Sequence, residues 1–93
     1  MKPLNPLIHS QLRLAIMSIL MNVESADFVY LQEKTASTSG NLSRQIEMLK
    51  EAGYIEAERQ FINKKPRTEC RVTDEGRRAF EDYVETLKEY LKH

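Results

Sequence analysis

The sequence predicts a mainly α protein with one small β-hairpin inserted ahead of its last helix. Three observations carry that expectation. Apolar residues recur at helical spacing through the first half of the chain and again beyond residue 73. Between these regions the helical pattern stops at Gly53 and gives way to alternation over residues 54–63. A second alternating run, residues 67–72, follows across Asn63-Lys64-Lys65-Pro66, which reads as the hairpin tip although it lacks an Asn-Gly pair.

Each element has its own signature. The first helix is expected from about residue 6 or 9 to residue 22. Ile8, Leu12, Ala15, Ile16, Ile19 and Leu20 make one apolar face, and Leu14, Met17 and Met21 make a second strip. A helix apolar on two faces packs on two things, its own core and a candidate partner subunit. Residues 22–27 form a polar break in which Ser25 or Asp27 suits an N-cap. A short second helix is expected over residues 28–36, with Phe28 and Leu31 facing the core. Ser37-Thr38-Ser39 is a run of turn and capping residues that links it closely to a third helix, about residues 40–52. There Leu42, Ile46 and Leu49 make the buried stripe, and Asn41, Ser43, Arg44, Gln45 and Glu47 lie on the polar side. Gly53 fits the helix stop, where a positive φ is wanted.

In the first strand Ile55, Ala57, Arg59 and Phe61 point one way and Tyr54, Glu56, Glu58, Gln60 and Ile62 the other. Thr68, Cys70 and Val72 alternate with Arg67, Glu69 and Arg71 in the second. Thr73 suits the cap of the last helix, with Asp74 and Glu75 complementing its dipole. Phe80, Tyr83, Val84, Leu87, Tyr90 and Leu91 then make a continuous stripe. The rings and hydroxyls of the tyrosines suit an interface, so Phe80, Tyr83, Leu87, Tyr90 and Leu91 join Leu14, Met17 and Met21 as candidate dimer contacts.

Composition bounds the function. The 93 residues are one domain's worth. No apolar run approaches the ~20 residues of a membrane span, and the N-terminus has no signal-peptide core, so a cytoplasmic location is expected. Two histidines near the chain ends, one cysteine and no phosphate-binding glycine loop speak against enzyme chemistry, a cofactor or a structural metal. Cys70 reads as a buried strand residue, with a redox-sensing thiol beside arginines as the other reading. Net charge is zero, but residues 59–71 hold five cations against a single acid. Such a cluster favours phosphate contact with strong salt dependence.

The order helix, helix, helix, ribbon, helix is that of a winged helix-turn-helix with an additional C-terminal helix. Gly40-Asn41-Leu42-Ser43-Arg44-Gln45-Ile46, continuing through Leu49-Lys50-Glu51-Ala52-Gly53-Tyr54-Ile55, resembles the recognition helix of MarR-type winged-helix DNA-binding regulators and its exit into the wing. Val72-Thr73-Asp74-Glu75-Gly76-Arg77 resembles the junction that opens their C-terminal helix. The likeness covers nearly the whole chain and is to the short, single-domain members, without the long helices that frame a ligand pocket. It implies one winged-helix domain over residues 1–93, with a wing at about 54–72 and a dimerisation helix at about 73–92. It also implies a homodimer, formed by the first and last helices, on a pseudo-palindromic operator.

Arg44 is then the candidate base reader, because its guanidinium bonds two acceptors of guanine. Asn41 and Gln45 suit adenine or phosphate, and Ser39 and Ser43 suit phosphate near the helix N-terminus. Lys64, Lys65 and Arg67 are the wing contacts. The expected function is a double-stranded-DNA-binding transcriptional regulator, most simply a dimeric repressor. The alternative is a winged-helix protein-interaction module without DNA readout. Neither an effector nor an operator can be read from the residues.

Overall fold

The computed structural model describes residues 1–92. Helix α1 is Gln11–Leu20, strand β1 Ala26–Asp27, helix α2 Phe28–Thr35 and helix α3 Ser39–Glu51. Strands β2, Ile55–Ile62, and β3, Lys65–Val72, follow, and helix α4 is Asp74–Leu91. The sheet is antiparallel with order β1-β3-β2. This is the winged-helix arrangement with its C-terminal helix.

The core forms where α1 crosses α2, α3 and β3. Ile16, Met17, Leu20, Leu31, Leu42, Leu49 and Cys70 are fully buried there, and Ile46 and Ile55 nearly so. The α3 stripe Leu42, Ile46, Leu49 lies inward as its spacing requires. In the sheet, Ala57 stands opposite Cys70 and Ile55 opposite Val72, so these side chains share the core face. Farther out on the same side, Arg59 and Phe61 are exposed, because the hairpin has run past the body of the protein.

Several helix ends follow from single residues. Asp27 Oδ1 accepts from Tyr30 N at 2.8 Å and caps α2. Thr38 Oγ1 accepts from Asn41 N at 3.2 Å and caps α3. Thr73 Oγ1 accepts from Gly76 N at 3.0 Å and caps α4, while donating to Gly53 O at 2.6 Å. Gly53 has φ +81°, the left-handed stop expected of it.

The structure departs from expectation in four places. First, α1 starts at Gln11. Residues 6–8 form a separate turn, in which Asn5 Oδ1 accepts from Leu7 N at 2.9 Å and Asn5 O accepts from His9 N at 2.8 Å. An Asx-type turn thus competes with the helix, and Ser10, at φ −152°, breaks the two apart. Second, β1 pairs Ala26 with Cys70 and Asp27 with Glu69 inside what reads as a polar break. Third, the hairpin closes on Asn63 and Lys64 alone, with φ +53° and +64°, and Lys65 and Pro66 already belong to β3. Two positive φ values in a two-residue loop match the type I′ turn, whose twist suits the strands.

Fourth, two candidate dimer residues lie inside the protomer. Met17 is fully buried, because α1 is enclosed by α2, α3 and β3 together. Tyr83 is 2% exposed, and its hydroxyl is 2.9 Å from Nδ1 of His9. The N-terminal segment lies along α4 and covers it there. Lys2 pairs with Asp82 at 2.9 Å, and the Tyr90 hydroxyl donates to Lys2 O at 2.8 Å. Phe80 packs against the core. Leu14, Met21 and Leu87 are half-buried, whereas Tyr90 and Leu91 are exposed.

Candidate nucleic-acid interface

Helix α3 turns its core stripe inward, and this fixes what it shows outside. Ser39, Gly40, Asn41, Ser43, Arg44, Glu47 and Lys50 are exposed. Arg44 takes part in none of the hydrogen bonds or ion pairs among the described residues. Its guanidinium is therefore at liberty to meet an external acceptor. In the first turn of α3 Thr38 takes the N–H groups of Asn41 and Leu42, which leaves those of Ser39 and Gly40, so the N-terminal end favours an anion.

The wing lies beside this helix. An open groove of about 520 Å³ runs between them, lined by Ser43 of α3, Val29 and Tyr30 at the start of α2, and Arg59, Pro66 and Arg67 of the hairpin. Helix and wing thus share one surface. Lys64 and Lys65 are exposed at the hairpin end. Arg67 differs from them, since its Nη1 lies 3.3 Å from Asp27 Oδ2. The same carboxylate caps α2, so Arg67 is tethered toward the helix layer. Arg71, on the same face of β3 as Arg67, lies 3.8 Å from Glu58.

Three of the expected site residues occupy different circumstances from the rest. Gln45 is half-buried on the flank of α3 that faces α1, and its amide oxygen accepts from Nη1 of Arg13. Gln45 Nε2 donates to Asn41 Oδ1 at 3.0 Å. Asn41 itself remains exposed. Arg67 carries the ion pair just described.

Two residues beyond those expected enter the site. Arg13 supports α3 from behind, and its Nε donates to Leu7 O at 2.6 Å. It is the lone cation of α1, in its first turn, which is the signal that could have singled it out. Arg59 lines the groove. Its signal was the alternation itself, which put an arginine in phase with Ile55 and Ala57.

Cys70 is fully buried between Ala26 and Ala57. Burial, reinforced by the charge of Glu69, pushes its thiol up to about 11. A free thiol out of solvent fits the buried-strand reading better than the redox-sensing one. Among the described residues no group of three or more His, Cys, Asp or Glu side chains is placed to hold a metal ion, and no helix is long and apolar enough to cross a membrane.

Comparison with known proteins agrees with this geometry. The family described as winged helix DNA-binding domain matches residues 12–91. The chain is 31% identical over 87 residues to the uncharacterized protein MJ0432 of Methanocaldococcus jannaschii, covering 94% of this chain and 95% of that one. A transcriptional regulator homologue from Pyrococcus horikoshii OT3 superposes with a TM-score of 0.86 at 28% identity, over 92% of this chain and 85% of that one. NadR, solved in complex with 4-hydroxyphenylacetate, shares the fold with a TM-score of 0.75 at 20% identity, over 94% of this chain and 64% of its own. The chain belongs to the winged-helix DNA-binding domain family.

Proposed function

We propose that the protein is a sequence-specific repressor that binds a pseudo-palindromic DNA operator as a homodimer. The observation that carries this reading is the groove that Ser43 of α3 shares with Arg59 and Arg67 of the wing, next along the helix from exposed Arg44. Helix α3 enters the major groove, and Arg44 reads a base edge. Ser39, Ser43 and Asn41 hold phosphates or neighbouring bases. Lys64 and Lys65 reach the backbone or minor groove beyond, and Arg59 and Arg67 hold the phosphate strand that runs between wing and helix. The dimer forms through the outer half of α4, where Leu91 is 78% exposed and Tyr90 is exposed beside it, joined by half-buried Leu87 and, on α1, half-buried Leu14 and Met21. A two-fold partner then sets the second α3 roughly 34 Å away, one turn of DNA.

Selection of bound duplexes from random DNA at fixed salt tests the reading. A symmetric motif with half-sites one helical turn apart is expected, and Arg44→Ala should relax one base position by about 1–3 kcal/mol. Unselective binding by the intact protein would overturn it. A protein-interaction module is the second reading, favoured by the exposed apolar Phe61 and Ile62 at the wing end.

A further inference from the structure

We infer that Arg13, a positioning residue behind the recognition helix, fixes the hydrogen-bonding polarity of α3, so that Asn41 presents its NH2 group to DNA and meets an acceptor edge, guanine in preference to adenine. The inference rests on the reading of α3 as the element that enters the major groove.

The chain of reasoning starts from a group that cannot reverse. A guanidinium only donates, so the Gln45 atom that faces Arg13 Nη1 is its carbonyl oxygen. The other end of that amide is then NH2, and the Asn41 atom 3.0 Å from it is necessarily an oxygen. Neither amide can be turned over without setting two donors or two acceptors against each other. Arg13 is in turn held in place. Its Nε donates to Leu7 O at 2.6 Å, Nη1 lies 3.6 Å from Met48 Sδ, and the side chain is half-buried between α1 and α3.

The consequence falls on the exposed member of the relay. To grip adenine, an asparagine turns both ends to the base, accepting from N6 and donating to N7. Here the Asn41 oxygen is held on the α1 side by Gln45, and the end left free is the donor. Guanine offers O6 and N7, both acceptors. Arg44, three residues on, also only donates. The N-terminal half of α3 therefore shows DNA a row of donors.

The isosteric substitution Gln45→Glu reverses the relay without removing the support. The new carboxylate still accepts from Arg13 but has no proton for Asn41, which must turn its NH2 inward and leave its carbonyl free. The bases favoured at that position should become those with an exposed amino donor, cytosine or adenine. The measurement is competition among duplexes that differ only at the position flattened by Asn41→Ala, taken as ratios so that a general weakening from the added charge cancels. The intact protein should prefer guanine over adenine by about fivefold, the worth of one net hydrogen bond, and Gln45→Glu should invert that ratio. Adenine preferred by the intact protein, or an unchanged ratio in Gln45→Glu, would overturn the inference.

A second readout needs no DNA. In the free protein the Asn41 side-chain amide protons should move downfield in Gln45→Glu as they gain a carboxylate acceptor. Unmoved resonances would also overturn the relay. Moved resonances in a protein that selects no motif would instead sink the DNA reading and leave the relay standing.

Discussion

Gly76→Ala sets two physical effects of opposite sign against each other. Replacing a glycine inside a helix normally stabilises by about 0.5–1 kcal/mol, because glycine has more backbone freedom to lose. At position 76 an added Cβ would sit 2.0 Å from Tyr54 O and 2.8 Å from its carbonyl carbon. Both are backbone atoms, so no side chain can swing aside. The start of α4 would have to retreat by about an ångström or more from the segment that leaves α3, judged against ordinary carbon–oxygen contact. That retreat pulls on Thr73 N, bonded to Tyr54 O at 3.0 Å, and on Thr73 Oγ1, bonded to Gly53 O. Two hydrogen bonds at about 1 kcal/mol each, and a strained N-cap at about another 1 kcal/mol, outweigh the propensity gain. The expected net loss is about 2–3 kcal/mol, a fall in Tm on the order of 10–20 °C for a chain of this size. Urea unfolding followed by circular dichroism measures it. A Gly76→Ala protein as stable as the parent, or more so, would refute the close packing of α4 on Tyr54.

Gly40 supplies the contrast, since a Cβ there meets nothing within 4 Å. Gly40→Ala should raise stability by about 0.5 kcal/mol and lower DNA affinity, and a rise in both would move the duplex away from that turn. Lys64→Ala combined with Lys65→Ala should reduce the slope of log affinity against log salt by up to about 1.8, and an unchanged slope would take the wing off the phosphates. Leu91→Asp should leave thermal stability nearly unaltered, because the side chain is exposed, yet yield monomers in sedimentation, and persistent dimers would locate the interface elsewhere. Cys70 ionises at about 11 when folded against an ordinary 9.0, so the unfolded chain loses its proton first. Stability from this group is intact below pH 9 and is lost as pH rises toward 11, by roughly 2–3 kcal/mol. Cys70→Ala should remove that part of the alkaline slope, and identical slopes in the two proteins would contradict it.

The parts of the fold that local chemistry dictates were legible in the residues. The α3 stripe, the glycine stop at position 53, the Thr73 cap and the core face of β2 depend on neighbours a few positions apart. What was not legible depends on distant partners. Two residues cannot display a period, so β1 hid in a polar stretch until Cys70 stood beside Ala26. Apolar spacing shows that Met17 and Tyr83 need cover, but not whose. The chain itself supplies it, from α2, α3 and β3 in one case and from the N-terminal segment in the other. Within the candidate site, exposure of Arg44 followed from its phase on α3. The engagement of Gln45 by Arg13 spans 32 positions, beyond the reach of any pattern along the chain.

The bend at Asn63 and Lys64 puts two properties of the protein in opposition. A lysine held at φ +64° gives up on the order of 1 kcal/mol that glycine would not. Glycine there would relax the ribbon and make the molecule harder to melt, but it would carry no ammonium at the farthest reach of the hairpin. Durability and positive charge therefore compete for one position. A variant optimised on heat resistance alone would drift toward a sturdier protein with one cation fewer at the wing end.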